Sequence, residues 1–128
     1  MKVKSFAKIN LGLEVLGKRS DGYHEIRTLF QSIAFFDELE FEPWTDGRVG
    51  LRGDRADVPW DERNLIHKAA RLLQDSCRVN RGVRISVTKR IPPGKGLGGG
   101  SSNAAGFLSL CPSSSPRLFA APSVSPPP

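Results

Sequence analysis

Along residues 7 to 15, Ala7, Ile9, Leu11, Leu13 and Val15 take every second position, with Lys8, Asn10 and Glu14 between them. A period of two places the apolar set on one face of an extended chain and predicts a strand. The glycine- and aspartate-containing segment Gly17 to Gly22 then reads as a turn. Residues 23–35 and 37–43 read as two more strands, the second alternating Leu39 and Phe41 with Glu38, Glu40 and Glu42. Antiparallel pairing is the simplest arrangement for segments so close in the chain. Residues 44–63, with Pro59, Gly47, Gly50 and Gly53, predict a loop holding one short edge strand near Val49 to Arg52.

The period then changes. Leu65, Ile66, Ala69, Leu72 and Leu73 recur at helical spacing, with Asp61 or Asn64 available as the cap and Lys68 and Arg71 on the outer face. Val83, Ile85 and Val87 alternate with Arg84, Ser86 and Thr88, a strand that must stop at Pro92-Pro93 because proline has no amide to give the ladder. A last helix is expected from about Ser102, limited to about two turns by Pro112. From Pro112 onward 11 of 17 residues are Ser or Pro, a composition that does not offset the entropy of ordering. Residues 1–111 are therefore expected to form one folded unit and residues 112–128 a disordered tail.

Composition changes this picture mainly through charge. Residues 1–75 hold 12 Lys+Arg against 13 Asp+Glu, whereas residues 76–128 hold seven basic residues and no carboxylate, so the net charge of +6 comes from the second half. A basic half attracts phosphate in any form. Cys77 and Cys111 are far apart, and His24 and His67 lack a close partner, which speaks against a structural metal. The start of the chain shows no apolar block of a signal peptide and no run reaches the length of a membrane span, so a cytoplasmic protein without membrane partners is expected.

The chemistry concentrates in Ile91-Pro-Pro-Gly-Lys-Gly-Leu-Gly-Gly-Gly-Ser-Ser-Asn-Ala-Ala105. Five glycines between Gly94 and Gly100 let successive backbone N–H groups approach one anion, and Ser101 or Ser102 is expected to cap the helix behind them. A helix start carries partial positive charge, which suits a polyphosphate. The spacing Gly94-x-Gly96-x-x-Gly99 matches a dinucleotide fingerprint, but no Asp or Glu follows Asp75 to hold a ribose. No Gly-Lys-Ser/Thr closes the loop, so it is not a Walker A motif either. A flexible glycine–serine linker is the bland alternative, against which Leu97 and the flanking strand argue.

The stretch from Pro92 to Ala105 resembles the phosphate loop of the GHMP kinases, Pro-x-x-x-Gly-Leu-Gly-Ser-Ser-x-Ala. Its Gly-Gly-Gly-Ser-Ser-Asn-Ala-Ala ending is similar to one branch, which acts on a cytidine diphosphate derivative in isoprenoid precursor synthesis. Ala7-Lys8-Ile9-Asn10-Leu11, Arg19-Ser-Asp-Gly-Tyr-His24, Thr28-Leu-Phe-Gln31 and Asn64-Leu65-Ile66 resemble the same branch in order. The resemblance covers about residues 3–105. It implies an α+β fold, the antiparallel-rich sheet with helices on one face that these kinases share with ribosomal protein S5 domain 2. It also implies ATP as co-substrate with Mg²⁺, and transfer of a phosphoryl group to a hydroxyl of a small molecule. The family's second domain and its catalytic aspartate lie beyond the matching part, so the chain reads as a truncated form, weakly active or inactive.

Residue by residue, the resemblance places Lys8 beside the transferred phosphoryl group, and Asn10, Tyr23 and His24 on the substrate, the last two at its cytosine. Pro92, Gly94, Gly96, Leu97, Gly98, Gly99, Gly100, Ser101 and Ser102 would hold ATP, with Ser101 or Ser102 near Mg²⁺ and Asn64 near the adenine. Read from residues alone, Lys8 is an ordinary solvated lysine, Tyr23-His24 a piece of sheet packing and Asn64 equally a helix cap. Arg84, Lys89, Arg90 and Lys95 would steer phosphate or serve solubility alone. Two other functions fit parts of the pattern: an ATP-binding remnant without turnover, and a basic nucleic-acid module. No aromatic residue stands between Trp60 and Phe107 to stack on bases, which disfavours the latter, so no nucleic-acid partner is expected.

Overall fold

A computed structural model describes residues 1–110; the expected boundary after residue 111 and the expected tail 112–128 lie outside the described residues. Two long strands, β1 (Lys2–Lys18) and β2 (His24–Trp44), pair antiparallel through the turn at residues 19–23. The break expected at Phe36 does not occur. Phe6 pairs with Phe36 and Ser5 with Asp37, and a bulge between Phe6 and Lys8 absorbs the irregular apolar run Ile33–Phe36 without ending the strand.

Only the inner end of this ribbon joins a wider sheet. β4 (Gly82–Thr88) pairs antiparallel with Glu38–Trp44, and β3 (Val49–Gly53) lies parallel to β4 at the edge, giving the order β1-β2-β4-β3. The edge strand stands where expected, and its parallel pairing with β4 is the one parallel step in a sheet that is otherwise antiparallel among the described residues, as the antiparallel-rich expectation has it. Parallel neighbours need a crossover, and α1 (Leu65–Cys77) supplies it between β3 and β4. The second helix, α2 (Gly99–Ser109), packs against α1 and β1.

Both helices cover one face of the sheet. Leu39, Phe41, Val83, Ile85 and Val87 meet Ile66, Ala69, Ala70 and Phe107 there, with the Phe41 and Phe107 rings 5.7 Å apart. Burying each of the large side chains contributes roughly 1.5–3 kcal/mol, so this cluster is the main stabilising element. Glu38, Glu40 and Glu42 alternate outward, as the period of two requires. In α1 the apolar stripe is shifted from the expected one: Leu65 and Leu72 are exposed, while Ala70 and Gln74 are buried. Gln74 reaches Gly47 O at 3.0 Å and Arg81 O at 2.7 Å, tying the end of the helix to the turns that flank β3 and β4.

The outer half of the ribbon is uncovered among the described residues. Ala7 is fully buried, yet Leu11, Leu13 and Val15, on the same expected apolar row, are each 59 % exposed. No helix of the described residues is long and apolar enough to cross a membrane.

Candidate phosphate-binding site

β4 ends at Thr88, and the chain turns through Pro92–Gly98 into α2. Gly94, Gly96 and Gly98 have φ of 69°, 73° and 70°, the left-handed region in which a side chain is strained, so the loop's path requires glycine at these alternate positions. The loop is held to β1 by Lys8 N–H, which donates to Leu97 O at 3.0 Å.

α2 starts three residues earlier than expected. Its N-cap is Gly98, with no side-chain cap, so neither Ser101 nor Ser102 fills that role. Ser102 N–H makes the first intrahelical bond, to Gly98 O at 2.9 Å. The amides of Gly99, Gly100 and Ser101 precede that bond and have no helical acceptor, as in any first turn. A glycine cap leaves them open to a ligand, because no hydroxyl or carboxylate of the cap competes for them.

The Ser102 hydroxyl is spent elsewhere: it donates to Phe6 O at 2.7 Å and accepts from Ser5 Oγ at 2.8 Å. It anchors α2 to β1. Ser101 is exposed, so the two serines that look equivalent in sequence have different tasks.

Lys8 runs over the helix start. A Cβ built on Gly98 would lie 3.2 Å from Lys8 Cγ and 3.3 Å from Cε, so the side chain lies close over this glycine. Its ammonium donates to Asn10 Oδ1 at 2.7 Å and stands 5.0 Å from the centre of the Phe30 ring. Asn10 Nδ2 donates to Thr28 Oγ1 at 3.1 Å, and Thr28 Oγ1 to Gly12 O at 2.6 Å, a chain that fixes the asparagine with its oxygen toward the lysine. A cation and three amides without a helical acceptor thus stand beside one loop, with the exposed Ser101 next to them in the chain. That arrangement can hold a polyphosphate and offset negative charge developing on it.

Asn64 directly precedes Leu65, whose Cδ1 would lie 3.7 Å from a Cβ built on Gly100, whereas the other expected site residues stand apart. Tyr23 and His24 sit at the far tip of the ribbon, where His24 pairs with Lys18 and Tyr23 is 75 % exposed. Ten residues separate Lys18 from Lys8, roughly 30 Å along a straight strand, less where the ribbon's bulges bend it. Asn64 is the N-cap of α1: its Oδ1 accepts from Ile66 N–H at 3.0 Å and its Nδ2 donates to Pro59 O at 2.8 Å. Both polar ends of that side chain are occupied.

Of the basic residues upstream of the loop, Arg84 pairs with Glu42 at 3.6 Å, Arg90 with Glu38 at 3.5 Å and Lys89 with the buried Asp37 at 2.5 Å. Lys95 has no ion pair among the described residues. Sequence reasoning missed Asp37, Ser5 and Thr28. The one available signal was a carboxylate at Asp37 on the face opposite Glu38, where the alternation would place an apolar residue. Among the described residues no group of three His, Cys, Asp or Glu side chains is placed to hold a metal.

The four-stranded mixed sheet with two helices, and the glycine loop between its last strand and last helix, make an α+β fold similar to the N-terminal domain of the GHMP kinases. Residues 64–113 match the family model described as GHMP kinases N terminal domain. Within that class the similarity is to 4-diphosphocytidyl-2-C-methyl-D-erythritol kinases. The chain is 44 % identical over 110 residues to the enzyme of Clostridium beijerinckii, covering 86 % of this chain and 39 % of that one. It is 52 % identical over 110 residues to that of Chlorobium limicola, covering 86 % and 38 %. A crystal structure of 4-(cytidine 5'-diphospho)-2C-methyl-D-erythritol kinase superposes with a TM-score of 0.72 at 43 % identity, covering 86 % of this chain and 39 % of that one. Homoserine kinase from Cytophaga hutchinsonii, at 17 % identity and a TM-score of 0.60, shares the fold. The chain spans less than two fifths of the length of these curated relatives.

Proposed function

We propose that the chain carries the ATP-binding part of a kinase that transfers the γ-phosphoryl group of ATP to the 2-hydroxyl of 4-diphosphocytidyl-2-C-methyl-D-erythritol. The observation that carries this reading is the Lys8 side chain laid across Gly98, beside the open amides of Gly99, Gly100 and Ser101. The relatives' names supply the substrate.

In this reading the loop from Pro92 to Gly98 wraps the nucleotide phosphates, and the amides at the start of α2 take the terminal oxygens. The Lys8 ammonium neutralises charge on the group in transfer, which is most of what a phosphoryl-transfer site provides. Asn10 orients Lys8 through its oxygen, and the amide hydrogen not given to Thr28 meets the acceptor hydroxyl. Tyr23 and His24 grip the cytosine by stacking and edge hydrogen bonds, the ribbon bending at its three bulges to bring its tip within the substrate's length of Lys8. Asn64 acts as a cap. Mg²⁺ would bind chiefly to phosphate oxygens and water, with Ser101 the one loop hydroxyl free to approach it, and it would offset phosphate charge.

No carboxylate follows Asp75, so the group expected to accept the hydroxyl proton is not among these 128 residues. A general base in this reaction class contributes about 10²- to 10⁴-fold in rate. Calorimetric titration with a non-hydrolysable ATP analogue and Mg²⁺ tests the binding half. Saturable binding that Lys8→Met abolishes or weakens supports it, and no binding to the unaltered chain ends it. An ADP-release assay with the diphosphocytidyl substrate separates slow turnover from a binding remnant.

A further inference from the structure

At the two ends of the glycine loop lies a buried ion pair that the proposed reaction does not use. Asp37 of β2 is fully buried and the Lys89 side chain, one residue past β4, is 4 % exposed, with Nζ and Oδ2 at 2.5 Å. The other carboxylate oxygen accepts from Arg90 N–H at 2.7 Å and Ile91 N–H at 2.8 Å. The Lys89 amide donates to Asp54 Oδ1 at 2.8 Å. Three consecutive residues entering the loop are thereby held by two carboxylates, and Asp37 binds all three of its donors from that one segment.

The far end of the loop meets the same pair. Gly99, the first residue of α2, is buried, and a Cβ there would stand 2.8 Å from Lys89 Nζ and 2.8 Å from Ile91 Cγ2. Its φ is not in the left-handed region, so the requirement for glycine comes from this close approach alone. The entry and the exit of the loop are thus gathered round one carboxylate, like the two ends of a strap in a single buckle.

Burial of an ion pair is a poor way to add stability. Desolvation of both charges offsets much of their attraction, and well-packed apolar residues in the same space are often as stable or more so. A pair used here gives what apolar residues do not, a directional link between an ammonium and two main-chain amides. We infer that Asp37, acting through Lys89, is a positioning residue for the phosphate cradle. It sets where the loop's entry stands relative to the first turn of α2, and so where the amides of residues 99–101 point. This deepens the reading of the loop as a nucleotide site and rests on it for its functional meaning.

The test compares three variants of the full chain: Asp37→Asn, Gly99→Ala and, as a control in the core away from the loop, Val83→Ala. Each is measured for thermal midpoint, for ATP-analogue affinity well below the lowest midpoint, and for amide hydrogen exchange of residues 97–102 without nucleotide. The expected result is that Val83→Ala loses stability and keeps its affinity. Asp37→Asn and Gly99→Ala lose about tenfold or more in affinity, about 1.4 kcal/mol, and exchange faster at residues 97–102. Affinity unchanged in the two loop variants, or lowered equally in the control, overturns the inference. Should Asp37→Asn fail to fold, Gly99→Ala is judged on the exchange of residues 97–102 alone, because the Gly99 amide itself belongs to the cradle: faster exchange supports the inference and unchanged exchange overturns it. If the unaltered chain binds no nucleotide, the proposed function fails, and the exchange comparison still decides whether Asp37 holds the loop.

Discussion

Single atoms separate residues that look alike in the sequence. Ser101 and Ser102 are neighbours of one type, but Ser102 joins α2 to β1 through Phe6 O and Ser5 Oγ. Ser102→Ala strands those partners and is expected to cost about 1–3 kcal/mol in denaturant unfolding, while Ser101→Ala leaves stability within about 0.5 kcal/mol. Lys8→Met removes the ammonium beside the open amides and is expected to weaken ATP binding on the order of tenfold to a hundredfold, the weight of a charge-assisted hydrogen bond. Asn64→Ala removes a cap and is expected to cost about 1 kcal/mol without changing ATP affinity, since both its polar atoms are already engaged within the protein. Just before that cap, hydrogen bonds from Arg63 hold the Asp61 carboxyl at about 2. A depressed carboxylate stabilises the fold fully above its unfolded value of 3.8 and loses that contribution as pH falls toward about 2. Asp61→Asn is therefore expected to flatten the acid limb of a stability–pH curve between those values.

At the scale of elements, the β1–β2 ribbon has two halves with different physics. The inner half joins β4 and carries Leu39 and Phe41 into the core, whereas Leu11, Leu13, Val15, Ile26, Leu29 and Phe30 of the outer half are exposed. A two-stranded ribbon without a covering layer is only marginally stable. Its amides at residues 11–16 and 25–31 are expected to exchange through local opening well before those at 38–43. Leu13→Thr is expected to change stability by less than about 0.5 kcal/mol, against about 3–5 kcal/mol for Phe41→Ala; urea denaturation reads both. The early start of α2 belongs to this scale too. Gly99 and Gly100 are weak helix formers, and tertiary anchors at Lys8, Ser5, Phe6 and Ile91 outweigh their propensity.

For the whole molecule, the sheet's inner end, both helices and the loop form one body, and the outer ribbon projects from it with Tyr23 and His24 at its tip. Much of this was legible beforehand. Periods of two at Val83–Val87 and Leu39–Phe41, helical spacing from Ile66, the Asn64 cap and the glycine loop are short-range patterns imposed by backbone geometry, and a linear reading finds them. The convergence of Lys8 and Asn10 with the loop was reachable only through resemblance, because residues some 90 positions apart share no local signal. Periodicity names the face on which Leu11, Leu13 and Val15 lie but is silent on whether anything covers that face, and in the described residues nothing does. Likewise an aspartate in β2 carries no mark of its lysine 52 positions away. Backbone sterics and side-chain alternation along the chain determined the elements and the loop. Pairing across the sheet, which depends on which distant segments share the core, decided where α2 begins, which serine is free and what holds the cradle in place.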